Sequence, residues 1–418
     1  MDRRRVAVVG GGVAGLTAAY VLRNQCDVVL YEADDRLGGH AHTHELPARD
    51  GGAVRVDSGF IVHNERTYPT LLRLFRELGV ATQDSEMSMS VRCDGCGLEY
   101  AGARGAAALF TGRAALRGRY LRLLAEVPVF HRGARRLLAA GGPEHLTLGA
   151  FLARGGFSPY FVSHFAAPLV SAVWSCPART AMEYPAAYLF RFLRHHGLLS
   201  ITGSPRWKTV TGGSAAYVAR VAEHLATRTG VPVAAVRRFP GGAVVTTADG
   251  AAETYDAVVL ATHPDQALAL LKDPTQEERR TLGAFVLSRN PTVLHSDARV
   301  LPRSPRARAS WNYRMPSCDT TADAVRVSYD MNRLQRLTGV ADHLVTLNAG
   351  DEIDDGRVLA RMVYEHPVHT PASVAAQRRL PLLNTAVTAY AGAWHGWGFH
   401  EDGCRSGVAA AAALGVDW

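Results

Sequence analysis

The chain has almost no lysine: of its 46 basic side chains, only Lys208 and Lys272 are not arginine. It also has no uncharged apolar run of about eighteen residues, the length a bilayer-crossing helix needs, so no spanning helix is expected. A disulfide framework is missing too. The six cysteines stand scattered at 26, 93, 96, 176, 318 and 404, unlike the dense spacing of a small stapled domain. The one close pair, Cys93 and Cys96, has no second pair at similar spacing to make a zinc site with it. Asp94-Gly95 between them reads instead as a two-residue hairpin turn between Ser88–Arg92 and the run from Leu98. No metal is expected. Internal repeats and low-complexity linkers are absent. Behind Met1-Asp2-Arg3-Arg4-Arg5 there is no apolar segment of signal-peptide length, so the expected location is the cytoplasm.

What remains is an ordinary globular composition, 47% hydrophobic and 20% charged over 418 residues, enough for two interlocked domains. The net charge of +8 suits acidic ligands or anionic membranes but selects neither, and no nucleic-acid partner is expected.

The first strong signal is N-terminal. Arg5 to Val9 is a short apolar run of strand character leading into Gly10-Gly11-Gly12-Val13-Ala14-Gly15. Leu16 to Arg23 has the spacing of a packed helix, and Val28 to Tyr31 is a second strand that ends at Glu32. Glycines at 10, 12 and 15 between strand and helix form a dinucleotide fingerprint. Gly10 makes the tight turn, Gly12 lets backbone approach a pyrophosphate, and Gly15 lets helix and strand pack closely. The helix N-terminus, at Val13 and Ala14, offers amides and a positive dipole end to the phosphates. Glu32 is placed for the adenosine ribose hydroxyls.

Further on, Thr70–Gly79 reads as an amphipathic helix with a glycine stop, Gly203–Thr211 as a loop, and Ala215–Thr229 as a helix. Val231–Val236 reads as a strand, and Gly242–Thr247 with Ala252–Thr254 as a hairpin. Tyr255–Ala261 has the unbroken apolar run of a buried parallel strand that closes the nucleotide domain. Near the C-terminus, Ala389–Gly392 ends a strand, Gly396–Gly403 is a glycine-rich turn, and Arg405–Leu414 is a helix for which Asp402 is a good cap.

Glu32-Ala-Asp-Asp-Arg36-Leu-Gly38-Gly39-His40 resembles the extended fingerprint of the flavin-containing amine oxidase and phytoene desaturase superfamily. The resemblance implies non-covalent FAD rather than a nicotinamide cofactor. It implies that Arg36, Gly38, Gly39 and His40 pass beside the FAD, with His40 where the family most often has arginine. It implies that Gly59 and Phe60 lead the chain under the flavin, that the Val233 backbone meets adenine, and that Ala261 ends a strand at the cofactor. At the C-terminus it implies flavin contacts from Gly392, Glu401, Asp402 and Gly403, with the last helix aimed at the ring edge where negative charge builds on reduction. Gly38–Thr43, Gly59–Pro69, Trp174–Pro177, His196–Leu199, Ser310–Tyr313, Tyr364–Pro367 and Gly398–Gly403 look like a bacterial branch of NAD/FAD-binding proteins within that superfamily. Members of the branch are associated with cyclopropane-fatty-acid-synthase-like methyltransferases and lipid modification.

The implied fold is α/β (α+β overall): a discontinuous Rossmann-type FAD-binding domain of 1–80, 205–288 and 385–418, interleaved with a substrate domain of 81–204 and 289–384 holding a mixed sheet and helices. The implied function is FAD-dependent oxidation, or desaturation, of a fatty-acyl or other lipid substrate. A flavin amine oxidase and a non-catalytic flavin-binding accessory subunit of a partner methyltransferase are the alternatives.

Flavin oxidation needs a C–H bond held over the ring and often no strong acid or base. The titratable candidates for a catalytic role are His63, His196 and His400. Lys208 is read as structural. His40, His42 and His44 alternate but are read as a loop against the cofactor rather than metal ligands, and Cys404 is not read as a covalent flavin anchor. Trp394, Trp397 and Phe399 line the flavin pocket or pack the turn. From Arg104 to Arg136, eight arginines and one acid are interleaved with Phe110, Leu116, Tyr120, Leu121, Leu123, Leu124, Val129 and Phe130. Such a basic amphipathic stretch suits peripheral contact with an anionic membrane.

Overall fold

A computed structural model of the chain describes residues 3–48, 51–200, 203–318 and 325–418. The strand β1 (Arg4–Val9), the helix α1 (Val13–Leu22) and the strand β2 (Cys26–Tyr31) form the expected unit, with the two strands paired in parallel from Arg4↔Cys26 to Val9↔Tyr31. They belong to a five-stranded parallel sheet in the order Ala226–Arg228, β2, β1, Ala257–Leu260, Thr388–Tyr390. Every residue of α1 is buried, because the C-terminal helix His400–Ala413 lies across it. A β-carbon on Gly407 would come within 2.4 Å of the Ala14 carbonyl oxygen, so only glycine lets the two helices pack this closely.

Two expectations fail in this half for one reason, namely that tertiary pairing overrides local pattern. The helix from Ala215 stops at Ala222, and Ala226–Arg228 is instead the edge strand beside β2. Within the segment read as a loop, Trp207–Val210 is a strand held between two very short remote partners, His63–Asn64 and Thr82–Asp84. Ala257–Leu260 is fully buried as expected, paired in parallel between β1 and Thr388–Tyr390.

The other half is built on a seven-stranded sheet in the order Val358–Val368, Val286–His295, Leu344–Leu347, Val327–Asp330, Trp311–Met315, Met89–Cys93, Leu98–Ala101. Its pairs are antiparallel except Trp311–Met315 with Met89–Cys93. Strand Val286–His295 enters this sheet at its first residue, Val286 facing Val368. The Cys93–Cys96 hairpin forms, but Cys93 faces Leu98, so residues 94–97 close it rather than Asp94-Gly95 alone, with Gly97 at φ +72°. The arginine-rich stretch consists of the short turns Gly102–Arg104, Ala106–Leu109 and Arg113–Leu116, followed by the long helix Gly118–Ala139. Tyr120, Leu123 and Phe130 point into the core, while Phe110, Leu116, Leu121 and Val129 are exposed. Among the described residues, no helix is long and apolar enough to cross a membrane.

Candidate FAD site

The glycine fingerprint does in three dimensions what its spacing suggests. Gly10 turns at φ +106°, and a β-carbon there would lie 2.6 Å from the Ala261 carbonyl oxygen; one on Gly15 would lie 1.9 Å from the Gly10 oxygen. Gly12 differs, because a β-carbon on it would meet nothing within 4 Å. It is the N-cap of α1, so its bare face opens on the space that the helix dipole and the amides of Val13 and Ala14 address. Glu32 Oε2 accepts from the Gly11 amide at 2.6 Å and Oε1 from the Asp34 amide at 3.0 Å, which fixes the carboxylate at the carboxyl end of β2. Val231 donates its amide to the Glu32 carbonyl oxygen at 2.9 Å, and this brings the chain leading to Val233 alongside, where an adenine contact was expected. Ala261 closes the other side, its amide donating to the Val9 carbonyl oxygen at 2.8 Å.

The loop after Glu32 folds back over this turn. The Gly38 amide donates to the Gly11 oxygen at 2.8 Å, and a β-carbon on Gly39 would stand 3.3 Å from Gly12 Cα. Gly59 passes so close that a β-carbon on it would lie 2.2 Å from the His40 carbonyl oxygen, which accepts the Phe60 amide at 2.7 Å. Two buried polar atoms on this loop have no partner among the described residues: Arg36 Nη1 and His40 Nε2. Leaving such groups unpaired in an interior is costly. A guanidinium and an imidazole left open beside a glycine cradle at a helix N-terminus fit a dinucleotide pyrophosphate and its ribityl neighbour.

His42 and His44 do not turn toward His40. Their rings stack on each other at 4.0 Å, with His42 Nδ1 3.2 Å from Tyr364 Oη and His44 Nε2 2.9 Å from Ser58 Oγ. His40 instead packs on Tyr364 and His366, at 4.9 and 5.4 Å between ring centroids. Tyr364 and His366 are site residues that sequence reasoning left without a role. They stood inside a quoted run, but only the register of strand Val358–Val368 carries them across more than three hundred residues to this loop.

At the opposite end the C-terminal helix begins at His400, earlier than expected, so Glu401, Asp402 and Gly403 lie in its first turn. The Glu401 carboxylate is engaged by another helix: Oε1 and Oε2 accept the amides of Thr70 and Leu71, both at 3.0 Å, at the start of helix Pro69–Glu77. Asp402 is not the N-cap. It sits one turn in and reaches back, Oδ2 accepting the amides of Trp397 at 3.0 Å and Phe399 at 3.1 Å, while Oδ1 takes Arg405 at 2.9 Å. Asp402 shapes the turn and Glu401 serves the other helix, which leaves the backbone amides at the start of the C-terminal helix for a flavin edge. Gly403 lets this helix approach α1, since a β-carbon there would lie 2.7 Å from Val13 Cγ1. Gly392 makes room for the Trp394 indole, which donates to the Thr262 oxygen at 3.1 Å.

The three candidate histidines gather around this turn. His400 stacks on Phe60 at 3.6 Å and shares a 2.9 Å hydrogen bond with Tyr217 Oη. His63 lies against Phe75 at 5.4 Å, and neither of its ring nitrogens has a partner among the described residues. His196 Nδ1 is 3.0 Å from the Phe192 oxygen, and its ring lies among Phe192, Phe399, Trp207 and Trp397. Tyr68 touches both His63 and His196, edge-on at 6.4 and 6.3 Å. Burial holds all three imidazoles neutral, His63 and His196 down to about 4 and His400 to about 3; Lys208 adds to the effect on His63, and His63 to that on His400. None is a ready acid near neutral pH; each can accept a proton or pack. Lys208 is spent on Glu65, Nζ to Oε1 at 3.0 Å. Trp397 and Phe399 pack against the aromatic core beside the seven-stranded sheet, whereas Trp394 packs on Phe285 against the parallel sheet. The Cys404 thiol is buried against Thr17 Oγ1 of α1, 3.4 Å away, so it faces away from any flavin at the helix start.

Comparison with known proteins agrees with this geometry. Amine oxidase [flavin-containing] A of Canis lupus familiaris is 40% identical over 78 residues, and FAD-dependent oxidoreductase dbaF of Emericella nidulans is 47% identical over 66. The chain spans about 14% of the length of these curated relatives. The structure superposes on putrescine oxidase bound to putrescine with TM-score 0.68 at 15% identity, covering 99% of both chains. It superposes on the CLA-producing fatty acid isomerase of P. acnes with TM-score 0.67 at 16% identity, covering 97% of both. The family model for flavin containing amine oxidoreductase matches residues 13–285, nearly two thirds of the chain. The chain belongs to the flavin containing amine oxidoreductase family.

Proposed function

We propose that the substrate is a fatty-acyl or other lipid chain, oxidised by removal of hydrogen from adjacent carbons. FAD held by the Gly10–Gly15 turn, Arg36 and His40 would supply a two-electron acceptor, taking one hydrogen as hydride while the other leaves as a proton to solvent. The chain's own part is to hold that carbon in place and keep water out.

The observation that carries this reading is the state of the acids around the cradle. Asp57, Glu65, Glu365, Glu401 and Asp402 are all engaged by amides, hydroxyls or other side chains of the protein. A protonated amine entering this region would find both oxygens of Asp57, Glu401 and Asp402 already taken, and a buried unpaired charge is costly. The wall opposite is aromatic: Trp174, Phe192, Trp397 and Phe399 contact one another, with His196 and His369 held neutral by burial at about 4. An apolar chain suits such a wall. The exposed Phe110, Leu116, Leu121 and Val129, set among exposed Arg113, Arg117, Arg119 and Arg122, offer a surface for anionic lipid at which such a chain could be taken up.

A flavin amine oxidase is the second reading, favoured by family membership and by Lys208 lying directly opposite His63 in strand register. The test is anaerobic bleaching of the flavin's visible absorption by unsaturated or methyl-branched phospholipids, with a panel of amines alongside. Bleaching by lipid alone supports the proposal; bleaching by amines alone overturns it. A flavin reduced by no substrate until a lipid-modifying methyltransferase is added would identify an accessory subunit instead.

A further inference from the structure

In the half built on the seven-stranded sheet, four ligating side chains converge. The sulfurs of Cys93, Cys96 and Cys318 and a ring nitrogen of His164 all lie within 4.8 Å of one another. In sequence the pair Cys93 and Cys96 had no partner pair. The fold supplies the other two ligands from 68 and 225 residues away.

Each ligand is held by a specific piece of backbone. Cys93 ends its strand and Cys96 sits in the four-residue turn that follows. The Cys96 amide donates to Cys93 Sγ and the Leu98 amide to Cys96 Sγ, which orients both sulfurs within the turn. Cys318 arrives because Met315 pairs with Cys93 in the parallel ladder, so the chain beyond it must pass the hairpin tip. It passes over Gly95, where a β-carbon would lie 2.9 Å from Ser317 Cα and 3.1 Å from the Cys318 amide nitrogen. His164 comes from Val162–Ala166, a π-helical turn, a rare backbone form that is frequent at functional sites. Its Nδ1 is 2.6 Å from Ser163 Oγ, which leaves Nε2 to face Cys96 Sγ at 3.6 Å. Ligating histidines usually have such a hydrogen-bond partner on the far ring nitrogen.

The separations discriminate between chemistries. Zn–S bonds of about 2.3 Å and Zn–N bonds of about 2.0–2.1 Å put tetrahedral sulfurs about 3.8 Å apart and sulfur and nitrogen about 3.6 Å apart. Cys93 Sγ and Cys318 Sγ stand at 3.7 Å, and Cys96 Sγ and His164 Nε2 at 3.6 Å. A disulfide needs its sulfurs at about 2.05 Å. Cys93, Cys96 and His164 are buried, while Cys318 is exposed and borders a cavity of about 630 Å³ that reaches His164, which gives an ion a way in. Three thiolates with one dication leave a net negative charge. Arg117 donates to the Cys96 oxygen at 3.1 Å, and Arg119 lies over the Tyr160 ring that stacks on His164, so positive charge stands beside it.

We propose that Cys93, Cys96, His164 and Cys318 bind one Zn²⁺ as a structural Cys₃His centre that ties the hairpin tip, the π-helical turn and the 316–318 segment together. Four protein ligands leave no open position, so the role is structural rather than catalytic. Binding releases the three thiol protons to solvent.

The test uses the FAD-loaded protein purified without chelator, with zinc measured by inductively coupled plasma mass spectrometry. One zinc per chain is expected. Cys318→Ser should lower occupancy about tenfold or more while FAD content stays at one per chain, because Cys318 lies on an exposed segment outside the core. Cobalt(II) substitution of the wild type should give the intense red-region bands of tetrahedral thiolate coordination, clear of the flavin absorption, and this readout needs no variant to fold. The proposal is overturned if the wild type stays zinc-free after incubation with zinc chloride, or if Cys318→Ser leaves occupancy unchanged. A Cys93–Cys318 disulfide in the unreduced protein would overturn it as well.

Discussion

At the dinucleotide end of the cradle the chain works with backbone, whereas at the ring end it works with buried side chains. Gly10, Gly12, Gly15, Gly38 and Gly39 leave out atoms so that strand, helix and loop can close to contact distances around a gap. Around the C-terminal turn the same closeness is reached by filling space: His400 on Phe60, Phe192 on Phe399, Asp402 on two amides. The first design depends mainly on sterics, although burial also holds His40 and His366 beside it neutral. The second keeps several imidazoles neutral in an apolar interior and is therefore exposed to acid.

The largest effect belongs to the backbone end. Gly15→Val should give no folded flavoprotein, because even the first side-chain carbon would lie 1.9 Å from a carbonyl oxygen that the sheet and α1 hold in place. Loss of the cooperative thermal transition and of bound flavin is the readout. If the variant folds and binds FAD normally, close packing is not what Gly15 provides.

Acid should strike at the ring end next. His63, His196 and His369 have native values of about 4 and His400 about 3, below the ordinary 6.5 of an unfolded chain. The unfolded chain therefore takes up protons first as pH falls. The stability these rings contribute is whole above about 6.5 and is lost progressively toward pH 4, on the order of 3 kcal/mol for each ring. Asp57 and Asp402 act in the opposite sense. Burial raises them to about 6, so between pH 6 and 4 the native state binds their protons more tightly and gains stability. These four rings, with His40, His42, His295, His366 and His395 shifted the same way by burial, outweigh the two carboxyls and predict net destabilisation below pH 6.5, measured as the denaturant midpoint against pH. His369→Phe should flatten that curve, and an unchanged slope would contradict the assigned neutrality of His369.

Gly12 separates the two ends more finely. Gly12→Ala adds a methyl that meets nothing within 4 Å in the protein, so the apoprotein should melt within a degree or two of wild type. FAD should nevertheless bind about a hundredfold more weakly, some 2.7 kcal/mol, because the methyl occupies the approach of the pyrophosphate. Titration of the apoprotein with FAD decides it, and equal affinity would put the phosphates elsewhere.

The same contrast governs what could be read from the sequence. The Gly10–Gly15 turn, Glu32 and the loop to Gly39 lie within thirty residues, and local steric rules prescribe their residue types, so strand, helix and cradle were all legible. The edge strand Ala226–Arg228 was not, because its three residues have no pattern of their own and exist as a strand only through pairing with β2. Trp207–Val210 was hidden for the same reason, its partners being two and three residues long. At the ring end the relevant types were visible as histidines, tryptophans and acids, but their assignments were not. Whether Glu401 faces a cofactor or caps helix Pro69–Glu77 depends on a meeting of segments more than three hundred residues apart. The convergence of Cys318 on Cys93 depends likewise on a parallel register that no spacing announces.

Glu401 gives the smallest effect and the sharpest distinction. Its two carboxylate oxygens take the first amides of helix Pro69–Glu77, where Tyr68 at the N-cap contributes no side-chain hydrogen bond. Glu401→Gln keeps the shape and one acceptor oxygen but removes the charge that favours a helix N-terminus and the second acceptor. A loss of about 1 kcal/mol in unfolding free energy follows, within the usual range for a helix cap. FAD affinity should stay within about twofold, since the carboxylate turns toward Thr70 and Leu71 and the cradle's other contacts are untouched. The opposite pattern, full stability with FAD affinity down tenfold, would mean that the carboxylate leaves the helix for the flavin when cofactor binds. The ring end would then also rearrange around its ligand, while the dinucleotide end stays preformed.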